Sequence, residues 1–277
     1  MFKRVIVPLD GSPLAEVALP YAEEMAGKMR SDMTLFSVLE YEEAEAYKER
    51  YGYMEKLGNT TNYHARKYND TAENSLKVET AIWNGEPAEA IVKYTQKRAL
   101  SLIVMATHGR SGISRWAVGS IADKVVRAAK RQPLMLIRAK NDRSDIREKR
   151  ILKKCLVTLD GSRRSEAVIA YISDIALKMD MELTLLKITP SNGDTLQNAK
   201  NYLQDECRKF EEEGITANYE AIVGSVADNI IDIANDRAMD LVAMSTRGQT
   251  GPSLWSLGSV AQKVLFGGNT PLLLVRA

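Results

Sequence analysis

The chain has 277 residues, with 45% hydrophobic and 27% charged residues and a formal net charge of +2. That is ordinary globular composition, long enough for two domains of the common 100–150-residue size, and the near-zero charge gives no electrostatic case for nucleic acid. No apolar run reaches the length of a membrane span, and MFKRVIVPLDGS breaks too early for a signal peptide, so no membrane is expected and the cytoplasm is the expected location.

The elements alternate along the chain. Arg4–Leu9 is β-branched and apolar and predicts a buried strand. Asp10-Gly11 turns the chain, and Ser12-Pro13 reads as an N-cap with proline in the first helical turn, opening a helix to Met29. Met33–Leu39 is a second strand, followed by a long, charged, tyrosine-rich helix and a third strand at Lys77–Ile82. Pro87–Arg98 is helical, Leu102–Ala106 is a fourth strand, Gly119–Lys130 is a helix, and Leu134–Arg138 closes the unit. Lys140–Arg150 has one aliphatic residue in eleven and reads as a solvated linker, which divides the chain into 1–140, 141–150 and 151–277. Beyond it, strands are expected at Lys154–Leu159, Glu182–Ile188, Thr216–Ile222, Leu241–Met244 and Leu272–Arg276, with helices between them. Alternating strands and helices of this length predict a doubly wound parallel sheet in each half.

The second half repeats the first. VPLDGS at 7–12 returns as VTLDGS at 157–162, GEPAEAI at 85–91 as GSVADNI at 224–230, and PLMLIRA at 133–139 as PLLLVRA at 271–277. The longest match sets Met105–Val125 against Met244–Val264, identical at eleven of 21 positions, including every glycine and both Trp116 and Trp255. A period near 140 residues means duplicated domains, not a solenoid of short units.

Each long repeat leaves a strand, crosses a glycine-bearing loop and enters a helix at Gly-Ser. Glycine lets a backbone approach a ligand, and the first N–H groups of a helix point at negative charge. In a doubly wound sheet the ligand lies beyond the carboxyl ends of the strands, where strand order reverses. There the backbone around Gly109 and Gly119, with the Ser120 hydroxyl, suits phosphates. Asp10 and Asp160, ending the first strand of each half, would repel phosphate but can accept from ribose hydroxyls or a base amine. That division of labour describes a mononucleotide. Taken alone, Asp-Gly-Ser is more simply a plain turn with an N-cap, and Ser120 with Asp123 a capping box. The co-occurrence of all these features, twice, favours the site.

These residues resemble those of the universal stress protein family, in a tandem form that covers both halves end to end. The family motif Gly-x2-Gly-x9-Gly-Ser/Thr reads here Ala106-x2-Gly109-x9-Gly119-Ser120 and Ser245-x2-Gly248-x9-Gly258-Ser259, with the first glycine replaced in both. The resemblance implies two five-stranded sheets of order 3-2-1-4-5, of the adenine nucleotide alpha hydrolase type. It also implies a binding site for ATP, ADP or AMP, with or without Mg. In the first half it assigns Pro8, Leu9, Asp10, Val38, Met105, Ala106, His108, Gly109, Arg110, Gly119, Ser120 and Ile121 to the nucleotide. In the second half the set is Asp160, Ile188, Met244, Ser245, Arg247, Gly248, Gly258, Ser259 and Val260. Val38 and Ile188 are assigned to the adenine. Thr158 departs from the proline that the family often places two residues before the aspartate, and Pro8 keeps it.

Other chemistries lack their motifs. There is no GxxxxGK[ST] and no strand-borne GxGxxG. The only histidines are His64 and His108, no base stands ready to activate a serine, and neither a catalytic set nor a metal site is expected. An ATP-binding stress or regulatory protein is the favoured reading, with an interaction scaffold or a slow ATP hydrolase as alternatives. Cys155 and Cys207 have no metal-type spacing and are expected to be free thiols.

The short apolar strands 134–138 and 272–276 would be exposed edges, which proteins usually cover. In the family this edge commonly pairs across a two-fold axis, so the two strands are expected to pair antiparallel and make the chain an intramolecular pseudo-dimer, with a further homodimer compatible with the sequence. Cysteines introduced at Leu136 and Leu274 should then cross-link within one polypeptide under oxidation. Failure to cross-link in any neighbouring register would refute the pairing.

Overall fold

The computed structural model describes residues 2–40, 44–69, 76–98, 100–108, 118–129, 132–138, 150–190, 194–246 and 257–277. The expected linker at 141–150 lies outside them apart from Arg150. The chain divides into two compact units, Met1–Ile151 and Leu152–Ala277.

In the first unit β1 (Arg4–Leu9) is followed by α1 (Pro13–Glu16), α2 (Leu19–Met29), β2 (Asp32–Leu39) and α3 (Ala44–Lys67). Then come β3 (Val78–Asn84), α4 (Pro87–Gln96), β4 (Ser101–Ala106), α5 (Ser120–Ala128) and β5 (Leu134–Ile137). The strands pair in parallel in the order β3-β2-β1-β4-β5. The second unit runs β6 (Lys154–Thr158), a 3₁₀ turn at Ser165–Val168, α6 (Ile169–Met179), β7 (Glu182–Thr189) and α7 (Asp194–Glu212). It continues with β8 (Ala217–Val223), α8 (Val226–Asp236), β9 (Leu241–Thr246), α9 (Ser259–Gly267) and β10 (Leu272–Arg276). Its order, β8-β7-β6-β9-β10, is the same 3-2-1-4-5 arrangement, again parallel throughout. No helix among the described residues is long and apolar enough to cross a membrane.

The central strands are buried on both faces, as an apolar β-branched run between two layers of helices requires. Two details differ from the sequence reading. The helix expected over residues 13–29 is two helices, broken at Val17–Ala18. Pro20, in the first turn of α2, has no N–H to donate and its ring would clash with the carbonyl of Glu16, so one continuous helix is excluded. Ser120 does not cap α5. The N-cap is Gly119, and Asp123 instead bonds Arg127 one turn on, at 2.8 Å, so no capping box forms.

Helix α3 turns a stripe of Arg50, Met54, Gly58, Thr61 and Ala65 inward. It can lie close to α2 because Gly27 has no side chain: a Cβ there would collide with the Ala65 carbonyl and with Tyr68. Both cysteines are free and buried, and burial raises the Cys207 thiol to about 11, so it stays protonated at neutral pH.

Candidate nucleotide cavity

Strand pairing itself opens the site. β1 stays in register with β2 up to Leu9–Ser37, but its pairing with β4 ends at Ile6–Ile103. The strands part where the chain crosses from one side of β1 to the other, which is the switch point where a doubly wound sheet holds ligands. In the second unit β6 and β9 pair one residue further, through Val157–Ala243, before they part. There the Leu159 N–H donates to the Leu186 carbonyl on the second strand, at 2.9 Å. The preceding residue therefore turns its nitrogen to the opposite side, toward β9 in the second unit and toward β4 in the first. Thr158 holds that place in the second unit and its N–H can extend the pairing by one residue, whereas Pro8, with no N–H, holds it in the first, where the pairing stops one residue earlier.

A cavity of about 510 Å³ fills this gap in the first unit, within the usual range of small-molecule sites. Pro8, Leu9, Asp10, Val38, Met105, Ala106, His108, Gly119, Ser120 and Ile121 all line it. Gly109 and Arg110, the remaining residues of the expected set, lie outside the described residues. The sequence reading missed a wall formed by Ala15, Phe36, Leu39, Glu40, Ala46 and Arg50, with Pro87, Ile91, Thr107 and Ala122.

The turn after β1 is fixed by the aspartate. Asp10 Oδ1 accepts from the Ser12 N–H at 2.9 Å and the Ser12 hydroxyl at 2.6 Å. Ser12 Oγ in turn accepts the Ala15 N–H at 3.2 Å, as an N-cap should. Gly11 between them has φ +85°, a left-handed conformation that excludes β-branched residues. So the Asp-Gly-Ser is a structural turn, and its carboxylate also borders the cavity. Asp160 accepts the Ser162 N–H at 2.8 Å around Gly161, φ +84°, and repeats the turn.

Across the gap, the Gly119 N–H donates to the Thr107 carbonyl at 2.7 Å and closes the loop that leaves β4. The N-cap glycines of α5 and α9 share one conformation, φ −56° and ψ 147° at Gly119, φ −57° and ψ 147° at Gly258. A glycine N-cap brings no side-chain acceptor, so the first-turn amides at Ser120–Ala122 and Ser259–Ala261 receive none from it. Ser120 and Ser259 are exposed and Ile121 and Val260 half-buried. His108 is buried, its Nδ1 3.0 Å from Thr107 Oγ1. On the opposite wall Phe36 lines the cavity, and behind it the ring stacks on Tyr94 at 4.3 Å and meets Trp83 edge-on at 5.6 Å. The register equivalents in the second unit are the aliphatic Leu186, Ile233 and Ile222.

The second unit places Asp160, Ile188, Met244 and Ser245 at its strand ends and Gly258, Ser259 and Val260 at the start of α9. Arg247 and Gly248 lie outside the described residues. Ser245 Oγ is buried and has no hydrogen-bond partner among the described residues. Asp160 is exposed, whereas Asp10 is half-buried. Lys187, where the first unit has Ser37, donates from Nζ to the Asp160 carbonyl at 2.9 Å and lies over the Tyr202 ring at 4.7 Å.

A family model described as the universal stress protein family matches residues 1–138 and 152–276. The chain belongs to the universal stress protein family. Its two units are tandem copies of that domain. Among relatives, the universal stress protein MJ0531 of Methanocaldococcus jannaschii is 28% identical over 135 residues, 47% of this chain and 78% of that protein. YxiE, a universal stress protein of Bacillus subtilis, is 27% identical over 138 residues, 45% of this chain and 92% of that protein. Of solved structures, a universal stress protein from Archaeoglobus fulgidus aligns over 99% of this chain and 98% of its own, with TM-score 0.72 and 19% identity. A putative universal stress protein from Pseudomonas aeruginosa aligns over 99% and 93%, with TM-score 0.72 and 17% identity. At such identities these two structures speak for the fold.

Proposed function

We propose that this universal stress protein binds an adenine nucleotide, ATP, ADP or AMP, with or without Mg, and that the bound nucleotide biases its conformation or its partners in a stress-response or regulatory role. The observation that carries this reading is that one cavity is bordered by both the Asp10 turn and the amino end of α5. Phosphates at Gly119–Ser120 meet first-turn amides and the positive end of the helix, worth about 0.3–1 kcal/mol per charge at an exposed terminus. Asp10 faces the same space with a carboxylate suited to ribose hydroxyls, and the apolar wall of Phe36, Val38 and Ile91 suits a purine face. The second unit repeats the turn, the strand end and the helix start, and is proposed as a second site. A slow hydrolase would need a metal ligand and a water-orienting group; among the described residues Asp10 and Glu40 are the carboxylates that border the first unit's cavity.

Native mass spectrometry of the purified full chain tests the reading. The expected result is an adenine nucleotide carried through purification, or bound on addition of ATP, and lost in Asp10→Ala,Asp160→Ala. A chain that takes up no nucleotide at millimolar ATP would sink it.

A further inference from the structure

One cation in the first unit's cavity is not explained by the repeat. Arg50, in the second turn of α3, is 8% exposed and lines the cavity. Its Nη1 donates to Ser37 Oγ at 2.6 Å, and Ser37 Oγ donates to the Leu9 carbonyl at 2.7 Å. The guanidinium is thus tied through one hydroxyl to the end of β1, next to Asp10. Neither residue recurs. Tyr53 bonds Glu16 at 2.9 Å as Tyr202 bonds Glu166 at 3.0 Å, which aligns the two helices and puts Ala199 opposite Arg50. The strand repeat puts Lys187 opposite Ser37.

Arg50 stands at the carboxyl end of β2, beside Val38, Leu39 and Ala46. β2 and β4 flank β1, so their ends lie about 10 Å apart at the usual strand spacing. A nucleotide with phosphates on the α5 terminus, beyond β4, brings its base toward β2. The guanidinium carries only donors, held in a planar fork. Guanine offers that fork two adjacent acceptors, O6 and N7, whereas adenine sets an amine donor beside its N7. We infer, resting on the nucleotide reading above, that Arg50 contacts the base edge and lets the first unit's cavity accept guanine as well as adenine nucleotides, a breadth the second unit does not share.

Calorimetric titration of the full chain with GTP, 7-deaza-GTP and ATP tests this. Wild type should bind 7-deaza-GTP at least threefold more weakly than GTP, because the N7 acceptor is gone. Arg50→Met, which keeps the aliphatic length, should lose at least tenfold in GTP affinity with less than threefold change for ATP, and should no longer distinguish GTP from its 7-deaza analogue. Arg50→Lys keeps the charge without the fork and should also lose the discrimination. A merely structural arginine would lower both affinities alike. That outcome, or equal binding of GTP and 7-deaza-GTP by wild type, overturns the inference and leaves the nucleotide reading standing. A wild type that binds none of the three overturns both.

Discussion

Gly119→Val is expected to weaken nucleotide binding in the first unit at least a hundredfold while the chain stays folded. Gly119 has an ordinary helical-side φ of −56°, so the effect is one of space and not of backbone conformation. A Cβ there would stand 3.0 Å from the Thr107 carbonyl, the atom that accepts the Gly119 N–H at 2.7 Å. Alanine requires a shift of a few tenths of an ångström. The two further methyls of valine would drive the amino end of α5 away from β4 and turn its amides off the phosphates. Loss of two charge-assisted hydrogen bonds, at about 1.5–3 kcal/mol each, exceeds a hundredfold in affinity. Circular dichroism reports the fold and calorimetry the affinity, with Gly119→Ala expected to fall between valine and wild type. Undiminished ATP affinity in a folded Gly119→Val would mean that the phosphates lie elsewhere.

The two units are expected to bind unequally, the first about ten- to a hundredfold tighter, the value of one charge-assisted contact. The sequence motive is Pro8, Ala106 and Arg110 in the first unit against Thr158, Ser245 and Gln249 in the second, with Arg247 as partial compensation. The described residues supply others. Asp10 is half-buried and Asp160 exposed, and Lys187 is drawn onto the Asp160 carbonyl. Ser245 works the other way, adding a buried hydroxyl that Ala106 lacks. Single variants of the full chain separate the sites: Gly258→Val should leave the tight one and Gly119→Val the weak one. Equal residual ATP affinities in the two variants would end the asymmetry argument.

Local backbone demands made much of this protein legible from residues alone. Asp10-Gly11-Ser12 encodes a left-handed turn and an N-cap, and the left-handed turn, though not the N-cap, returns at Asp160–Ser162. Apolar runs of four to eight residues set the ten strands to within two residues, and their duplication 138–150 positions on implied two units of the same order. The ten expected contact residues on one cavity wall follow from that order, because it alone fixes which loops meet at the switch point. Tertiary structure decided the opposite wall. In α3, Arg50 is one of many charged residues, and nothing at its own position marks it. Its signal is the spacing of Arg50, Met54, Gly58, Thr61 and Ala65 along one helical face, which is too weakly apolar for sequence periodicity to show. That face is buried only because Gly27 on α2 leaves room for α3 to dock, a pairing set by packing between segments far apart in the chain. The sequence determined the turns, the strands and the repeat, since each depends on a few neighbouring residues. Which side chains border the cavity beside them depends on how helices settle on the sheet, and only the folded chain decides that.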